Sequence, residues 1–368
     1  MKHTAIGLMS GTSLDGTDIA YCLFENNNST WAFKIIKAQT IPYSPAWEKK
    51  LKMAVEMSGQ ELIKTHVEYG HYLGKITNNF INENQLTKPD LIASHGHTVY
   101  HQPATGFTFQ IGEGSAIAAQ TNCTVVCDFR PINVACGGQG APLVPIGDEL
   151  LFAKHDCCLN LGGFANISYK QQNKRMAFDI CPVNFVINYL VKNNYREAKK
   201  LLFDNTKKNI THDPDGKIAS KGEKSIQLIN ELNTLDYYNQ KPPKSLGAEW
   251  VEKNIFPIIQ KYKQLPLQDI LRSFYEHVTL QVNNATTINK CKSMIITGGG
   301  AYNKFLIKLF KNNFNIDVYI PEKNIIEYKE ALIFAFLGVL RINNIPNILK
   351  SASGGKKNNI GGAIYEGK

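Results

Sequence analysis

Residues 6–24, IGLMSGTSLDGTDIAYCLF, constrain this chain more than any other stretch. An apolar run, Ile6 to Met9, leads into a turn of hydroxyls, glycine and aspartate, and a second apolar run follows from Ile19 to Phe24. Two apolar runs around a glycine-containing turn read as a β-hairpin. The turn comprises Ser10, Gly11, Thr12, Ser13, Leu14, Asp15, Gly16, Thr17 and Asp18. It offers backbone N–H groups with little side-chain bulk, a concavity that suits phosphate oxygens. Asp15 and Asp18 would repel phosphate unless a cation lay between them, which implies Mg2+. Taken alone, an ordinary Gly/Asp hairpin reads the same way.

Two more turns of this kind narrow the choice. DCCLNLGGFANISYK (156–170) places Asn160, Gly162, Gly163 and Asn166 between apolar runs. MIITGGGAYNKF (294–305) ends a short strand in Thr297, Gly298, Gly299 and Gly300, ahead of a helix start. A strand-to-helix glycine turn presents N–H groups and a helix N-terminus to an anion or nucleotide. None of the three matches GxxxxGK[ST], which excludes a P-loop NTPase, and none matches a dinucleotide fingerprint well. On residues alone the reading stops at a two-domain α/β phosphotransferase.

Composition excludes other classes. At 368 residues, 43% hydrophobic and 20% charged, the chain can bury two cores. Its net charge of +10 is spread as pairs such as Lys199-Lys200 and Lys356-Lys357, without the concentrated basic face and aromatic platforms that nucleic-acid binding needs. A diffuse positive field favours anionic small molecules. The eight cysteines are scattered, mostly inside apolar runs, with no CxxC pair, so buried reduced thiols and a cytoplasmic location are expected rather than zinc. MKHTAIGLM lacks a signal-length apolar core, and the longest apolar run, Ala331–Leu340, is too short to span a bilayer.

Periodicity gives the coarse plan. Leu62, His66, Tyr69, Leu73, Ile76 and Phe80 form one stripe, predicting a helix over 60–83. Strands are expected at 31–36, 90–94, 124–129, 157–161, 166–170, 176–180 and 316–321, and helices over 265–288 and from Pro182. Glu330 is expected to open the apolar helix, and the Gly-rich tail to return to the first domain.

Two glycine hairpins about 150 residues apart, then a strand-GGG-helix turn, follow the order of the actin, hexokinase and chaperone ATPase superfamily. MSGTSLDGTD (9–18), FQIGEGSAIA (109–118), VVCDFR (125–130), GGQGAPLVP (137–145), NLGGFANIS (160–168), PKSLG (243–247) and TGGGAYN (297–303) together resemble the anhydro-N-acetylmuramic acid kinase family over nearly the whole chain. The resemblance implies an α/β, two-domain actin/hexokinase-like (ribonuclease H-like) fold with an interdomain nucleotide cleft. Domain I would span 1–127 plus 350–368, and domain II 128–349. It further implies an ATP- and Mg2+-dependent sugar kinase of bacterial peptidoglycan recycling. That enzyme would open 1,6-anhydro-N-acetylmuramic acid with water and phosphorylate O6, giving N-acetylmuramic acid 6-phosphate and ADP. The family suggests a homodimer. An ordinary hexosamine kinase and a non-catalytic sugar-responsive protein on the same fold are the alternatives. The second usually carries an added helix-turn-helix, for which the strand starting near residue 6 leaves no room at the N-terminus.

Asp179 is the leading catalytic residue. It is expected at a strand tip beside a helix N-terminus, which would keep it ionised as a general base must be. The resemblance aligns it with the family's proposed base in an FDTGPGN-like segment. Here that segment reads FDICPVN (178–184): Asp179, Pro182 and Asn184 are kept, while Ile180, Cys181 and Val183 replace threonine and two glycines. Ala248 stands where the family commonly has arginine. For Arg130, an anion contact and a structural salt bridge fit equally. For Glu330, the resemblance implies a sugar contact, while a first-turn glutamate complementing the helix dipole fits as well. His95, His97 and His101 suit polar lining of a sugar pocket, or loop structure, better than metal binding. The expected nucleotide contacts are residues 11–18, Gly162, Gly163 and Gly298 to Gly300. The expected substrate contacts are Arg130, Glu330, His95, His97 and Asn184, and Asp15 and Asp18 are expected to hold Mg2+ through water.

Overall fold

The computed structural model describes every residue except 12–13, 29, 173, 204–209 and 368. The chain forms two compact units: Met1–Ala153 with Tyr328–Lys368, and Lys154–Glu327. The strands of the first unit are β1 (Lys2–Ser10), β2 (Gly16–Asn27), β3 (Thr30–Pro42), β4 (Leu91–Ser94), β5 (His97–Gln102), β6 (Phe107–Ile111) and β7 (Thr124–Cys127). The second unit holds β8 (Cys157–Leu161), β9 (Phe164–Gln171), β10 (Lys174–Pro182), β11 (Ser293–Thr297) and β12 (Asp317–Tyr319). The tail adds β13 (Ala363–Tyr365) to the first.

In the first unit the sheet order is β13-β7-β4-β1-β2-β3, with β5 and β6 as a separate hairpin. The expected hairpin is present: β1 runs antiparallel to β2 from Lys2↔Glu25 to Ser10↔Thr17. β1, β4 and β7 are parallel, and β13 lies antiparallel on β7, so the tail returns as expected. Alternation sorts the strands' side chains onto two faces. Ile6, Leu8, Ile19 and Tyr21 pack with Leu62, Tyr69, Leu73, Ile76 and Phe80 of the helix Gly59–Glu83. A capping box between Ser58 and Glu61 starts that helix where the stripe begins.

The opposite face is covered by residues 328–342 of the helix Lys323–Ile342, among which Ala331 to Leu340 are buried. Phe336 packs on Phe24 and Trp31, with ring centroids 5.3 and 4.9 Å apart. A Cβ at Gly7 would lie 1.8 Å from the Ala331 carbonyl oxygen, so helix and strand backbones touch there. The helix starts before Glu330, at Lys323, and leaves helical geometry at Tyr328 (φ −115°, ψ 18°). Glu330 thus follows a break instead of opening the helix. The units divide at 153/154 and 327/328 rather than at 127/128 and 349/350. The reason is packing: Phe152 meets Phe33, and the helix beyond Tyr328 lies on β1 and β4, with Gly338 against Leu91 and Ala93.

The second unit has the order β10-β9-β8-β11-β12, with β8, β11 and β12 parallel. Leu159, Ile167, Val186, Phe274, Val278 and Phe310 belong to its core, which takes in the helices Asn184–Asn193, Leu267–Ile288 and Lys304–Asn313. Every cysteine is free and all but Cys136 are buried. No helix among the described residues is long and apolar enough to cross a membrane.

Gly7→Ala forces a methyl group into the Ala331 backbone. Overpacking of this kind costs about 1–3 kcal/mol or more, so denaturant unfolding should show a clear loss of stability in the first unit. An unchanged midpoint would show that the helix can lift away from β1.

Candidate active site

In the first unit, β1, β4 and β7 end along one edge, the edge at which open α/β sheets bind ligands. The β1–β2 turn leaves from Ser10, with Leu14 held at φ 58° and Asp15 exposed. Thr12 and Ser13 lie outside the described residues. Asp18 is half-buried and accepts a 2.6 Å hydrogen bond from Thr40 Oγ1. Beneath the turn, Ser10 Oγ meets Tyr69 Oη at 2.7 Å, Tyr69 Oη meets Tyr43 Oη at 2.6 Å, and Thr17 Oγ1 donates to Tyr43 Oη at 3.1 Å. This partly buried hydroxyl chain anchors the turn on the helix Gly59–Glu83.

Along the same edge Arg130 donates from Nε and Nη2 to His95 Nε2, at 3.1 and 2.9 Å, and from Nη1 to the Gly140 carbonyl at 2.7 Å. Both partners are neutral acceptors. Burial and the Arg130 charge push His95 down to about 3, so it stays an unprotonated acceptor, and its ring packs on Phe334 at 4.7 Å. Burial lowers Arg130 to about 10, with Glu330 opposing, so the guanidinium remains charged at neutral pH. Glu330 keeps an exposed surface while dense surrounding protein, and then the Asp18 carboxylate, raise its pKa. Ser94 Oγ, His95 Nδ1 and His97 Nδ1 are buried and have no hydrogen-bond partner among the described residues. Buried polar atoms without partners are uncommon and mark places where a ligand or water completes the bonding.

In the second unit, cross-strand register builds one polar row. Thr297 on β11 pairs with Asn160 on β8, Asn160 with Asn166 on β9, and Asn166 with Asp179 on β10. Directly paired residues share a sheet face, so the third glycine turn, the second turn and Asp179 are linked by four side chains. Asp179 is half-buried. Its Oδ2 accepts from the Leu246 N–H at 2.9 Å, and among the described residues its Oδ1 accepts from none. Burial raises its pKa against that hydrogen bond. The second turn is pinned to the next helix: Val183 and Phe185 N–H groups donate to the Gly163 carbonyl, and Asn184 N–H to Gly162.

The glycines divide by what a side chain would meet. At Gly298 (φ 80°) a Cβ would lie 2.5 Å from Asn160 Oδ1, and at Gly300 2.6 Å from Leu161 Cβ. At Gly299 it meets nothing within 4 Å, and at Gly162 and Gly163 only ordinary contacts. Gly298 and Gly300 are therefore required by the fold, while Gly299, Gly162 and Gly163 leave an open backbone surface.

A family model for anhydro-N-acetylmuramic acid kinase matches residues 3–367. The chain belongs to this family. An anhydro-N-acetylmuramic acid kinase of Francisella tularensis subsp. novicida (strain U112) is 35% identical, covering 98% of this chain and 97% of its own length. One from Bacillus thuringiensis subsp. konkukian (strain 97-27) is 30% identical, covering 98% of each. The two units each hold a mixed sheet with helices, as an α/β fold of two domains would.

The surroundings of Asp179, Gly16, Thr17 and Asn184 are as follows. β10 continues to Pro182 and the helix starts at Asn184, so Asp179 sits at a bulge inside a strand and not at a helix N-terminus. Its environment raises its proton affinity instead of holding it ionised. Thr17 turns inward to Tyr43, and a Cβ at Gly16 would lie 2.4 Å from the Ile41 carbonyl, so both support the turn. Asn184 donates from Nδ2 to the Leu161 carbonyl at 3.3 Å, stapling helix to turn. The departures Ile180, Cys181 and Val183 are all buried in the second core. Ala248 is the first residue of the helix Ala248–Lys261.

Sequence reading passed over Ser94, although it directly precedes His95 at the end of a short apolar strand. It also passed over the ion pair of Lys329 Nζ with Asp148 Oδ1, 2.7 Å apart and buried beside Glu330. The available signal was the charged pair Lys329-Glu330 directly ahead of the apolar run Ala331–Leu340.

Gly298→Ala should destabilise the second unit by about 1–3 kcal/mol, the range for overpacking. Gly299→Ala should leave the unfolding midpoint in place while weakening nucleotide binding in calorimetry. Equal loss of stability in both would place Gly299 among the packing glycines.

Proposed function

We propose that the chain is an ATP-dependent anhydro-N-acetylmuramic acid kinase. On this reading it converts 1,6-anhydro-N-acetylmuramic acid, ATP and water to N-acetylmuramic acid 6-phosphate and ADP, in the cytoplasmic recycling of bacterial cell wall, as a homodimer. Family membership supports the reading. The observation that carries the chemistry is Asp179: a half-buried carboxylate with one oxygen held and the other open, in line with two glycine turns.

Asp179 takes a proton from water as the water oxygen bonds to the anomeric carbon. The C1–O6 bond breaks with oxocarbenium character. O6 then bonds to the γ-phosphorus, and the bond from that phosphorus to ADP breaks. The proton passes from Asp179 to solvent. Arg130 suits the lactyl carboxylate of the sugar, because among the described residues it makes no ion pair and two of its N–H groups stay uncommitted. Ser94, His95 and His97 supply unpartnered polar atoms for sugar hydroxyls. The open backbone at Gly162, Gly163 and Gly299 and the turn around Gly11 are assigned to the nucleotide.

Mg2+ fits the first turn. Asp15 and Asp18 are hard oxygen donors, and the mutual repulsion of Asp18 and Glu330 marks an excess of negative charge there. No cluster of three or more protein ligands occurs among the described residues. One or two carboxylates with phosphate oxygens and water make up the usual Mg2+ shell. Bound there, Mg2+ would neutralise charge on the phosphates.

Reaction in 18O-water should place label on C1 and none on phosphate, with a single inverted anomer at early times. Label in phosphate, or none at C1, would favour an ATPase or an ordinary hexosamine kinase. Asp179→Asn should lower turnover about 100-fold or more, the effect of losing a general base, with ATP affinity retained. A base must be ionised, and burial raises Asp179 above the ordinary aspartate range. Activity should therefore be full above that raised pKa and fall as pH drops through it. His95, already neutral to about pH 3, does not contribute to this acid limb. Arg130→Ala should raise KM for the sugar and leave nucleotide affinity unchanged.

A further inference from the structure

β10 is an edge strand, so the outward backbone groups of Asp179 have no ladder partner from the sheet. The segment Lys244–Leu246 fills that edge. The Asp179 N–H donates to the Lys244 carbonyl at 3.2 Å, and the Asp179 carbonyl accepts from Tyr237 Oη at 2.6 Å. Leu246 N–H then reaches the Asp179 side chain, at Oδ2, over 2.9 Å. The segment is itself tied down: Lys244 Nζ donates to the Tyr237 carbonyl at 2.9 Å and lies 4.5 Å from the Tyr237 ring centroid and 5.6 Å from that of Phe178. Backbone, carbonyl and carboxylate of one residue are thus gripped from a single direction.

We propose that the strap Lys244–Leu246, locked by Tyr237, is a positioning device that aims the Asp179 carboxylate, with Leu246 and Tyr237 as its positioning residues. This rests on the reading of Asp179 as the base. A carboxylate on an edge strand has χ1 and χ2 free to rotate, and one N–H bond to Oδ2 removes that freedom while leaving Oδ1 for water. Fixing a reacting group's geometry is worth far more than the hydrogen bond contributes to stability. The same bond favours the ionised form. The titratable groups that interact with Asp179 are Tyr237 from the strap side and Cys181 on its own strand; Lys244 meets it through its carbonyl, while its ammonium lies over the Phe178 and Tyr237 rings. Burial holds the Cys181 thiol far above its usual range and raises Tyr237, so neither ionises near neutral pH. Lys244 remains the one nearby side-chain charge among these three.

The decisive variant is Leu246→Pro, which removes the N–H, puts the ring Cδ in its place against Oδ2, and fixes φ there. The acid limb of its kcat/KM profile should move up by about one pH unit, the shift expected from one lost charge-assisted hydrogen bond. kcat should fall about tenfold, with ATP affinity by calorimetry unchanged. Leu246→Ala keeps the N–H and should keep the wild-type acid limb. Tyr237→Phe, which spares the strap's own backbone, should lower kcat about tenfold with ATP affinity unchanged, and it decides the matter if Leu246→Pro does not fold. An acid limb in Leu246→Pro that matches Leu246→Ala, or full kcat in Tyr237→Phe, overturns the positioning role. Asp179→Asn, measured alongside, separates the two levels. If it keeps turnover, the base assignment fails. If it is inactive while the strap variants are normal, only the strap inference fails.

Discussion

The contact on which the first unit depends is the approach of helix 328–342 to the sheet at Gly7. With no side chain on Gly7, the Ala331 carbonyl rests on β1 itself. That closeness fixes the helix's height and rotation over the strands. Its side chains are then placed without further choice: Lys329 beside Asp148, Glu330 beside Asp18, and the apolar Phe334 under the His95 ring. His95 in turn presents Nε2 to Arg130. A packing constraint therefore sets the position of the Arg130 guanidinium that the proposed chemistry uses. The buried Asp148–Lys329 pair is consistent with this order of causes. Such pairs contribute little net stability but are costly to break, which makes them good at excluding other helix rotations.

The second unit solves a different problem. Its key carboxylate is on an edge strand, where the sheet supplies neighbours on one side only. On the inner side, register lines Asp179 up with Asn166, Asn160 and Thr297. On the outer side, Tyr237 and the strap supply what a further strand would have supplied. Covering an exposed edge is a general need of β-sheets. Here the cover also reaches the side chain.

Much of this was legible in the sequence for definite reasons. The hairpin at 6–24 and the stripe from Leu62 to Phe80 are local patterns with one geometric solution each. The third turn declared itself through three consecutive glycines. The unit boundary was misplaced because it depends on Phe33 meeting Phe152 and Gly338 meeting Ala93, contacts between residues far apart in the chain. The end of β10 was misplaced because Pro182 marks helix starts by habit, and here it closes a strand. The strap escaped notice since its hydrogen bonds to Asp179 run mostly through backbone atoms, which carry no sequence signature.

The altered FDICPVN segment shows how the two kinds of information combine. Read as letters, the loss of two glycines beside the base suggests a reshaped pocket. In the fold, Ile180, Cys181 and Val183 are at most 3% exposed, while Asp179 between them and the strap is half-buried. Alternation along β10 and the bulge at Asp179/Cys181 send the replaced side chains inward. The second turn keeps its grip on the following helix through the Gly162 and Gly163 carbonyls, whatever side chain Val183 carries. The substitutions thus change how the second core is filled, and the groups that face solvent around Asp179 are supplied by elements the substitutions do not touch.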